Sequence, residues 1–338
     1  MPVRVLDRLE ELYAIGGGDG ANRIGGSAEE DQAHELAARW MTEAGLRVEV
    51  DAAGNLIGRS GTDTVWTGSH LDSVPNGGKF DGALGVVAGI EAVERAGTGA
   101  VVAFRDEERG CTGSTAFVQA GALPACFFEL HIEQGPVLAE AGAPLGVVTG
   151  IVGMVRGTRT FDGIPGHAGT VPMSRRSDAL VAAADYVLRV RDVATAIDGA
   201  VATVGRLDVE PGTVNVIPDR VTLSVDARAP DAERLDRLAR ELELEPDFPL
   251  DPVMLHEAPR AAFRAELEAR DQPVVELPSG AGHDAAVLAL AGVPSGMLFV
   301  RSLNGGVSHS PAELSSSEDI ALAVEVLTGA LGRLAASD

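Results

Sequence analysis

The sequence is poor in several residue types, and each scarcity excludes a class of protein. Its 338 residues include two cysteines, Cys111 and Cys126, too few for a disulfide framework, which favours a cytoplasmic chain with reduced thiols. Aromatic residues make up only 4% of the chain, so a wall of base-stacking rings is not expected. The longest apolar run, at 287–300, is interrupted by Gly292 and Pro294 and is too short to span a bilayer.

Positive charge is scarce as well. Acidic residues outnumber basic ones 50 to 27, which gives a formal net charge of −23, and Lys79 is the only lysine. Such a surface repels phosphate backbones and anionic lipids, so we expect neither a nucleic-acid nor a membrane partner. The first 17 residues place charges among apolar positions and contain no signal-peptide core, which again favours the cytoplasm.

Helix and strand patterns alternate along the first third of the chain. A capping-box pattern opens a predicted helix over 27–45. Apolar segments at 65–68 and 100–104 predict buried strands on either side of a predicted helix at 82–95. This alternation predicts an α/β protein with an open mixed sheet and helices on both of its faces. In such sheets, ligands bind at the carboxyl ends of the strands.

A second α/β pattern interrupts the first, at a chain length that suggests two domains. It contains predicted strands at 156–162, 202–207 and 221–228 and predicted helices at 177–193 and 231–244. The earlier pattern then returns, with a strand at 274–277 among its elements. We therefore expect one domain made of 1–151 plus 252–338, with an α+β domain of 152–251 inserted into it.

Histidines and carboxylates follow the predicted strands of the first domain. Alternation places His70 and Asp72 on the same side of the chain, and a carboxylate often receives the second ring N–H of a metal-ligating histidine. Asp81 falls at the predicted N-cap of the next helix, where its carboxylate would bridge two metals. A loop pair and a helix cap are the simpler explanations of these residues.

Three further segments carry the same residue types. Asp106, Glu107 and Glu108 follow a buried strand, where adjacent carboxylates are easiest to explain if a cation neutralises them. Alternation puts Glu129, His131 and Glu133 on one face of a strand, and His309 lies in a glycine-rich loop. The simpler explanations are a solvated acidic turn, a charged edge strand and an exposed loop. Taken together, these carboxylates and imidazoles suit zinc, manganese or a related divalent ion.

Several long motifs resemble one enzyme family. The segment Gly68-Ser-His-Leu-Asp-Ser-Val-Pro-Asn-Gly-Gly-Lys-Phe-Asp-Gly-Ala-Leu-Gly85 is similar to the metal-site signature of M20-type amidohydrolases. The branch it resembles holds N-carbamoyl-L-amino-acid hydrolases, allantoate amidohydrolases and beta-ureidopropionases. Motifs of that branch recur in the same order along nearly the whole chain: Glu129-Leu-His-Ile-Glu-Gln-Gly-Pro136, Gly166-His-Ala-Gly-Thr-Val-Pro-Met173, Asn215-Val-Ile-Pro218, Ser279-Gly-Ala-Gly-His-Asp284 and Ser308-His309.

The resemblance implies a cofactor of two divalent ions, Zn or Mn, with Co or Ni as alternatives. It implies that the metal ligands are His70, Asp81 and His131 for one ion and Asp81, Glu108 and His309 for the other. Asp81 would bridge the two ions. Glu107 would be the general base that takes a proton from an activated water, and Asp72 would orient His70.

The resemblance also assigns residues to the substrate and to a second subunit. The inserted domain resembles the family's dimerisation and lid domain, which implies a homodimer in which His167 reaches a neighbouring active site and stabilises the oxyanion. Asn215 and Arg228 would bind the substrate carboxylate, and Gln134 and His283 would complete the pocket. The simpler explanations are a turn residue for His167, a strand-end salt bridge for Arg228, a turn cap for Gln134 and a buried, satisfied imidazole for His283.

The sequence departs from the family after the paired glutamates. Its segment Glu107-Glu-Arg-Gly-Cys-Thr-Gly-Ser114 is shorter than the usual one and lacks an Arg-Phe pair, and the connection onward to Glu129 is shorter too. The resemblance places these segments in the walls of the substrate pocket. Their shortening therefore leaves the identity of the substrate undetermined but does not change the expected class of reaction. We expect hydrolysis of a linear C–N bond in a small carboxylate-bearing ureido or amide substrate. The alternatives are an N-acyl-amino-acid hydrolase, an M20-type peptidase and a non-catalytic metal-binding dimer.

Overall fold

The computed structural model describes residues 2–61, 64–121, 123–245 and 248–336. The chain divides into two compact units. The first unit is made of Met1–Thr149 and Met254–Asp338, and the second is Gly150–Val253. Among the described residues, we find no helix with the length and apolar character needed to cross a membrane.

Ten α-helices and fifteen strands are formed by the described residues, with short 3₁₀ helices at Met173–Arg175 and Asn304–Gly306. The helices are α1 Pro2–Tyr13, α2 Ala28–Glu43, α3 Ala83–Ala96, α4 Thr112–Ala120, α5 Val137–Glu140, α6 Ala179–Thr195, α7 Ala232–Glu241, α8 Glu257–Glu268, α9 Asp284–Leu290 and α10 Ser317–Ala335. The strands are β1 Arg47–Val50, β2 Leu56–Arg59, β3 Val65–His70, β4 Ala100–Phe104, β5 Cys126–Ile132, β6 Leu145–Ile151, β7 Gly153–Asp162, β8 Gly166–His167, β9 Val201–Glu210, β10 Val216–Ile217, β11 Arg220–Ala229, β12 Phe248–Leu250, β13 Val253–Met254, β14 Glu276–Ser279 and β15 Ser295–Val300.

A nine-stranded sheet organises the first unit. Its strand order is β1-β2-β4-β3-β5-β15-β6-β13, and β14 pairs with β6 beside that path. Strands β4, β3, β5 and β15 run parallel to one another, whereas β2 lies antiparallel to β1 and β4, and β6 lies antiparallel to β15. The predicted α/β class with an open mixed sheet is confirmed. The strand predicted at 274–277 lies instead at β14, where the polar Glu276 and Ser279 belong to the strand.

The core of the first unit lies between the parallel strands and their helices. Every residue of β3, β4, β5 and β15 is buried, because strands in the middle of a parallel sheet are covered on both faces. Helices α3 and α10 pack together, and the rings of Phe128 on β5 and Phe263 on α8 lie 4.8 Å apart. The glycines of α3 bring this helix close to the sheet, since a Cβ at Gly85 would overlap the carbonyl of Leu130.

Local signals in the first unit work largely as predicted. Ser27 caps α2 by accepting a hydrogen bond from the Glu30 N–H at 3.2 Å. The reciprocal bond of the capping box is displaced by one residue, because the Glu30 carboxylate accepts from Gly26 N at 2.7 Å. The helix therefore begins where the sequence predicts, with a modified cap.

The second unit is built on a four-stranded antiparallel sheet in the order β12-β7-β11-β9. Strand β11 alternates between buried and half-buried residues, and its buried face forms a core with α6 and α7. The Tyr186 hydroxyl on α6 donates to the Leu242 carbonyl at 2.6 Å, which ties that helix to the end of α7. A separate two-stranded ribbon pairs β8 with β10.

Candidate active site

The parallel strands of the first unit deliver polar side chains to one edge of the sheet. His70 ends β3, Glu107 and Glu108 follow β4, and His131 lies near the end of β5. His309 comes from the loop after β15, which pairs with β5 in parallel. Because carboxyl ends of parallel strands meet at one edge, residues far apart in sequence come together there.

Asp81 is the centre of this cluster. One carboxylate oxygen, Oδ1, lies 3.1 Å from His131 Nε2 and 3.9 Å from His70 Nε2. The other oxygen, Oδ2, lies 3.2 Å from His309 Nε2. Asp81 is 4% exposed, and although burial opposes ionisation, its hydrogen bonds with His131 and His309 hold its pKa well below the usual range. The carboxylate is therefore charged and shared among three imidazoles.

The position of Asp81 depends on the glycine that follows it. The sequence predicted Asp81 as the N-cap of α3, and this prediction is wrong. Gly82 takes that position, with a φ of 62°. This left-handed conformation suits glycine, and a Cβ at Gly82 would overlap the ring of His70. Gly82 thus turns the chain into the helix and leaves the Asp81 carboxylate free to face the histidines.

Asp72 connects the β3 end to the β4 end. Its Oδ1 lies 3.2 Å from His70 Nδ1, and its two oxygens accept the backbone N–H groups of Glu107 at 3.1 Å and Glu108 at 3.2 Å. Burial raises the pKa of the Asp72 carboxyl, but hydrogen bonding with His70 outweighs this and leaves the pKa lowered. Asp72 therefore stays ionised, contacts the His70 ring and holds the backbone of both glutamates.

The two glutamates face different histidines. Glu107 Oε2 lies 3.7 Å from His70 Nε2, and Glu108 Oε2 lies 3.5 Å from His309 Nε2. Burial, with neighbouring carboxylates, raises the pKa of Glu107 well above its ordinary value, and burial and Asp81 raise that of Glu108. The Cys111 thiol donates a long hydrogen bond of 3.7 Å to Glu107 Oε1. Glu107 is thus a carboxylate that takes up a proton more readily than one in water.

Three groups of these side chains have ligand atoms close enough to hold a metal ion, with all atoms of a group within 4.8 Å of one another. They are His70, Asp81 and His131; Asp81, Glu108 and His309; and Glu129, His131 and His283. Imidazole nitrogens and carboxylate oxygens are the donors that zinc and manganese accept, so the residues fit a divalent ion.

The third group is already bonded within the protein. Glu129 accepts from the Ser69 hydroxyl and from Ala285 N, both at 2.8 Å, so each oxygen has a donor. His283 Nε2 lies 2.8 Å from the Ser279 hydroxyl, and burial together with His131 lowers its pKa, which leaves a neutral ring. Glu129 thereby holds the start of α9 through Ala285. The His283 ring packs edge-on against the His131 ring, with 4.5 Å between the ring centroids.

Glu133 does not share the strand face of Glu129 and His131, contrary to the sequence prediction. Strand β5 ends at Ile132, and the Glu133 carboxylate turns to accept backbone N–H groups from Val137 at 2.6 Å and Leu138 at 3.0 Å. A carboxylate at the start of a short helix satisfies N–H groups that have no partner within the helix. Glu133 therefore caps α5.

Gln134 lies beside the Asp81 carboxylate, in a left-handed conformation with a φ of 57°. Its side-chain amide donates to Asp81 Oδ2 at 3.0 Å and to the Ser308 hydroxyl at 3.1 Å, and its backbone N–H donates to the Ser302 hydroxyl at 3.1 Å. In this structure Gln134 orients Asp81. Its contact with a substrate, and that of His283, stay predictions.

The remaining predicted residues lie on the second unit. His167 and Asn215 are exposed and adjacent on the β8–β10 ribbon, where Val216 pairs with His167. Arg228 on β11 donates to both oxygens of Asp226, at 2.8 and 3.2 Å. The structure thus brings His167 and Asn215 together, and it pairs Arg228 with a neighbouring carboxylate.

Sequence reasoning missed three buried carboxylates near the predicted ligands. Glu129 appeared only as one of a row of strand residues, and Asp284 only as part of a motif. Burial, with the charge of Glu129, raises the pKa of Asp284 to about 8, so that it holds a proton at neutral pH. Glu313 lies in a loop and received no role, because an isolated glutamate among serines and prolines has no periodic signal.

The chain is similar to a family model, to named enzymes and to solved structures. A model of peptidase family M20/M25/M40 matches residues 66–333. The N-carbamoyl-L-amino acid amidohydrolase of Geobacillus stearothermophilus is 40% identical, with 98% of each chain covered. The allantoate amidohydrolase of Bacillus subtilis (strain 168) is 31% identical over 98% of this chain and 97% of that one. The crystal structure of a hydantoinase/carbamoylase family amidase from Burkholderia multivorans is similar with a TM-score of 0.89, at 32% identity and 98% coverage of both chains.

The chain belongs to peptidase family M20/M25/M40. The predicted M20-type amidohydrolase branch is confirmed, since the similar proteins are named amidohydrolases of N-carbamoyl amino acids and of allantoate. The predicted enzyme class, hydrolysis of C–N bonds other than peptide bonds, is confirmed by the same relatives.

We expect divalent-metal binding to tighten as the pH rises from about 6.5 to 8.5. The pKa of His309 is about 8, because its hydrogen bond with Asp81 and the charge of Glu108 favour the imidazolium against the effect of burial. A metal must displace that proton, so each pH unit below 8 should weaken apparent affinity about tenfold through this group. Mn²⁺ titration calorimetry at several pH values measures the slope.

The matched control is His309→Gln, which has no titrating ring at that position and should lose the His309 share of the slope. An affinity that does not change with pH in the unmodified protein would show that His309 is not a ligand.

Proposed function

We propose that the protein is a di-metal amidohydrolase that cuts a linear ureido or amide C–N bond in an N-carbamoyl-L-amino acid or an allantoate-like substrate. The observation that carries the proposal is the division of Asp81 between two ligand groups. Its Oδ1 faces His131 and its Oδ2 faces His309, so one carboxylate can serve two ions. His70 completes the first group and Glu108 the second.

The ions we propose are Zn²⁺ or Mn²⁺, with Co²⁺ or Ni²⁺ as alternatives, held by the ligands just named. Bound there, two divalent ions supply Lewis-acid activation of a water and polarisation of the substrate carbonyl. The amidohydrolases of this family are metal-dependent, in keeping with this chemistry.

Glu107 acts as the general base in this proposal. Its buried carboxylate has a raised pKa, which makes it a stronger proton acceptor than a solvated glutamate at neutral pH. It takes a proton from the attacking water and delivers it to the leaving nitrogen. Asp72 keeps the chain at Glu107 in place through the 3.1 Å bond to its backbone N–H. His70, oriented by Asp72, remains a ligand throughout.

The second unit supplies substrate recognition in the proposal, and the protein works as a cytoplasmic homodimer. His167 stabilises the developing oxyanion in a neighbouring active site, and its Nδ1 accepts from Gly169 N at 3.0 Å, which leaves Nε2 as the donor. Asn215 and Arg228 bind the substrate carboxylate, for which a guanidinium has matching two-pronged geometry. Gln134 and His283 complete the pocket.

A substrate panel tests the proposed reaction. Metal-free protein is reconstituted with Mn²⁺ or Zn²⁺ and offered N-carbamoyl-L-amino acids, N-carbamoyl-β-alanine and allantoate, with ammonia release as the readout. We expect metal-dependent ammonia release from at least one of them. N-acetyl amino acids and dipeptides are assayed in parallel for free amine. Amine without ammonia would replace the ureido proposal with an acylase or peptidase. Metal binding without any turnover would point first to a substrate outside the panel and then to the non-catalytic alternative.

Glu107→Gln is expected to keep metal binding and to lose turnover. The amide preserves the size of the side chain but cannot accept a proton, and a lost general base typically costs about 10²–10⁴ in rate. Metal content by elemental analysis and kcat on the best panel substrate separate the two effects. The control is Asp106→Asn, a neighbouring carboxylate that pairs with Arg109. Unchanged turnover in Glu107→Gln would remove Glu107 from the mechanism.

Arg228→Ala is expected to raise KM for carboxylate-bearing substrates about 10- to 100-fold, the scale of a lost hydrogen bond between charged groups. The matched control is Arg156→Ala, because Arg156 donates to the same Asp226 at 2.8 Å and has no proposed substrate contact. A KM that rises equally in both variants would attribute the effect to Asp226 and the sheet. An unaltered KM in Arg228→Ala would exclude a role in binding the carboxylate.

A further inference from the structure

A buried carboxylate links the loop that carries Asp81 to the loop that carries His309. Glu313 is 6% exposed and accepts three hydrogen bonds. Its Oε1 accepts the backbone N–H groups of Phe80 at 2.7 Å and Asp81 at 3.1 Å. Its Oε2 accepts the hydroxyl of Ser308 at 2.9 Å. One side chain therefore bonds to Asp81 itself and to the residue next to His309.

We infer that Glu313 is a positioning residue that sets the separation of Asp81 and His309 and so completes the second divalent-ion site. The inference rests on the proposed di-metal function. The two ligands it positions already approach each other, with Asp81 Oδ2 3.2 Å from His309 Nε2. The hydrogen bonds of Glu313 reach backbone N–H groups and a hydroxyl, so Glu313 acts through the loops.

The Asp81 loop has the shape needed to admit this carboxylate. A Cβ at Gly78 would overlap the Glu313 carboxyl group, so the glycine leaves room for the side chain. Gly78 does not have a positive φ, so its part here is the room that it leaves for the Glu313 carboxyl group. A buried carboxylate without donors would be strongly destabilising, and two backbone N–H groups offset that cost here.

Gln134 also connects these two loops, through the Asp81 side chain instead of its backbone. Its amide nitrogen donates to Asp81 Oδ2 at 3.0 Å and to the Ser308 hydroxyl at 3.1 Å. Glu313 therefore fixes the backbone of Asp81, Gln134 fixes its carboxylate, and both use Ser308 as the connection to His309. Outer groups that hold ligands in this way typically change metal affinity 10- to 100-fold when removed.

The test measures metal binding rather than activity alone. Glu313→Ala removes both acceptor oxygens and with them all three hydrogen bonds. We expect it to bind the second Mn²⁺ at least about tenfold more weakly, and the first ion, whose ligand group contains Asp81 but not His309, to be weakened much less. Titration calorimetry gives the two affinities, and elemental analysis after dialysis gives the stoichiometry. If Glu313→Ala binds the second ion as tightly as the unmodified protein does, the inference is overturned.

Two variants separate positioning from charge. Glu313→Gln keeps an oxygen for the Phe80 and Asp81 N–H groups but removes the negative charge, and we expect it to retain most of the second-ion affinity. If it loses as much as Glu313→Ala, charge is responsible and the positioning role is wrong. Glu318→Gln, which removes an exposed carboxylate nearby, should bind both ions as the parent does. Loss of affinity in Glu318→Gln would also count against the inference, because net charge alone would then explain the result.

Ser308→Ala provides a second route if Glu313→Ala fails to fold. It removes the hydroxyl through which both Glu313 and Gln134 reach the His309 loop, and we expect the same selective weakening of the second ion. Gln134→Ala, which removes the Gln134 bond and leaves the Glu313 bond, shows how much of that weakening belongs to Gln134. Unchanged second-ion affinity in Ser308→Ala would contradict the link. Failure of the proposed function reads differently, because the unmodified protein would then bind two ions and hydrolyse nothing on the panel.

Discussion

The interaction on which the site depends is the burial of the Asp81 carboxylate among three imidazoles. A carboxylate removed from water is strongly destabilising unless charge and hydrogen bonds offset the loss of hydration. Here His131, His309 and Gln134 approach its two oxygens, and Glu313 accepts from its backbone N–H. With so many contacts on one small side chain, the surrounding loops have little freedom to adopt another arrangement.

The same constraint explains the chemistry of the neighbours. Charged Asp72 and Asp81 favour the protonated form of the histidines beside them, whereas burial, together with nearby like charges, raises the pKa values of Glu107 and Asp284. Carboxylates a few residues apart in one cluster are thus divided into groups that hold charge and groups that take up protons. The proposed di-metal hydrolysis uses both kinds, with Asp81 as a shared ligand that stays ionised and Glu107 as a base with a raised pKa.

Periodicity predicted the parts of the fold that have a regular apolar pattern. Strand β4 has the predicted bounds, because apolar residues fill it. Strand β3 begins at the predicted residue but runs on to His70, because the polar Ser69 and His70 extend it beyond the apolar segment. Helix α4, with the sequence Thr-Gly-Ser-Thr-Ala-Phe-Val-Gln-Ala, was not predicted, since its small polar residues give no helical apolar spacing. The helix predicted from residue 82 begins one residue later, at Ala83. Gly82 has a left-handed backbone and lies before the helix as its N-cap, a conformation that the apolar spacing does not reveal.

Sequence motifs were enough to predict the candidate metal ligands, but they could not predict a residue that supports those ligands, such as Glu313. His70, Asp72 and Asp81 lie within one segment whose spacing is visible in the sequence. Glu313 bonds to Phe80 and Asp81, more than two hundred positions away, through backbone N–H groups that every residue type possesses. A contact of that kind leaves no trace in spacing or composition, and only the folded chain reveals it.

The strand order has a consequence for how the protein is made. Strand β15 pairs with β5 in parallel, although the whole of the second unit and several helices separate them along the chain. A ribosome releases β5 long before it releases β15 and the loop of His309. The position beside β5 in the sheet therefore stays empty until the second unit and β15 have been made. Non-local pairing of this kind is slow to form, so closure of the sheet beside β5 and the approach of His309 to Asp81 belong to a late stage of folding.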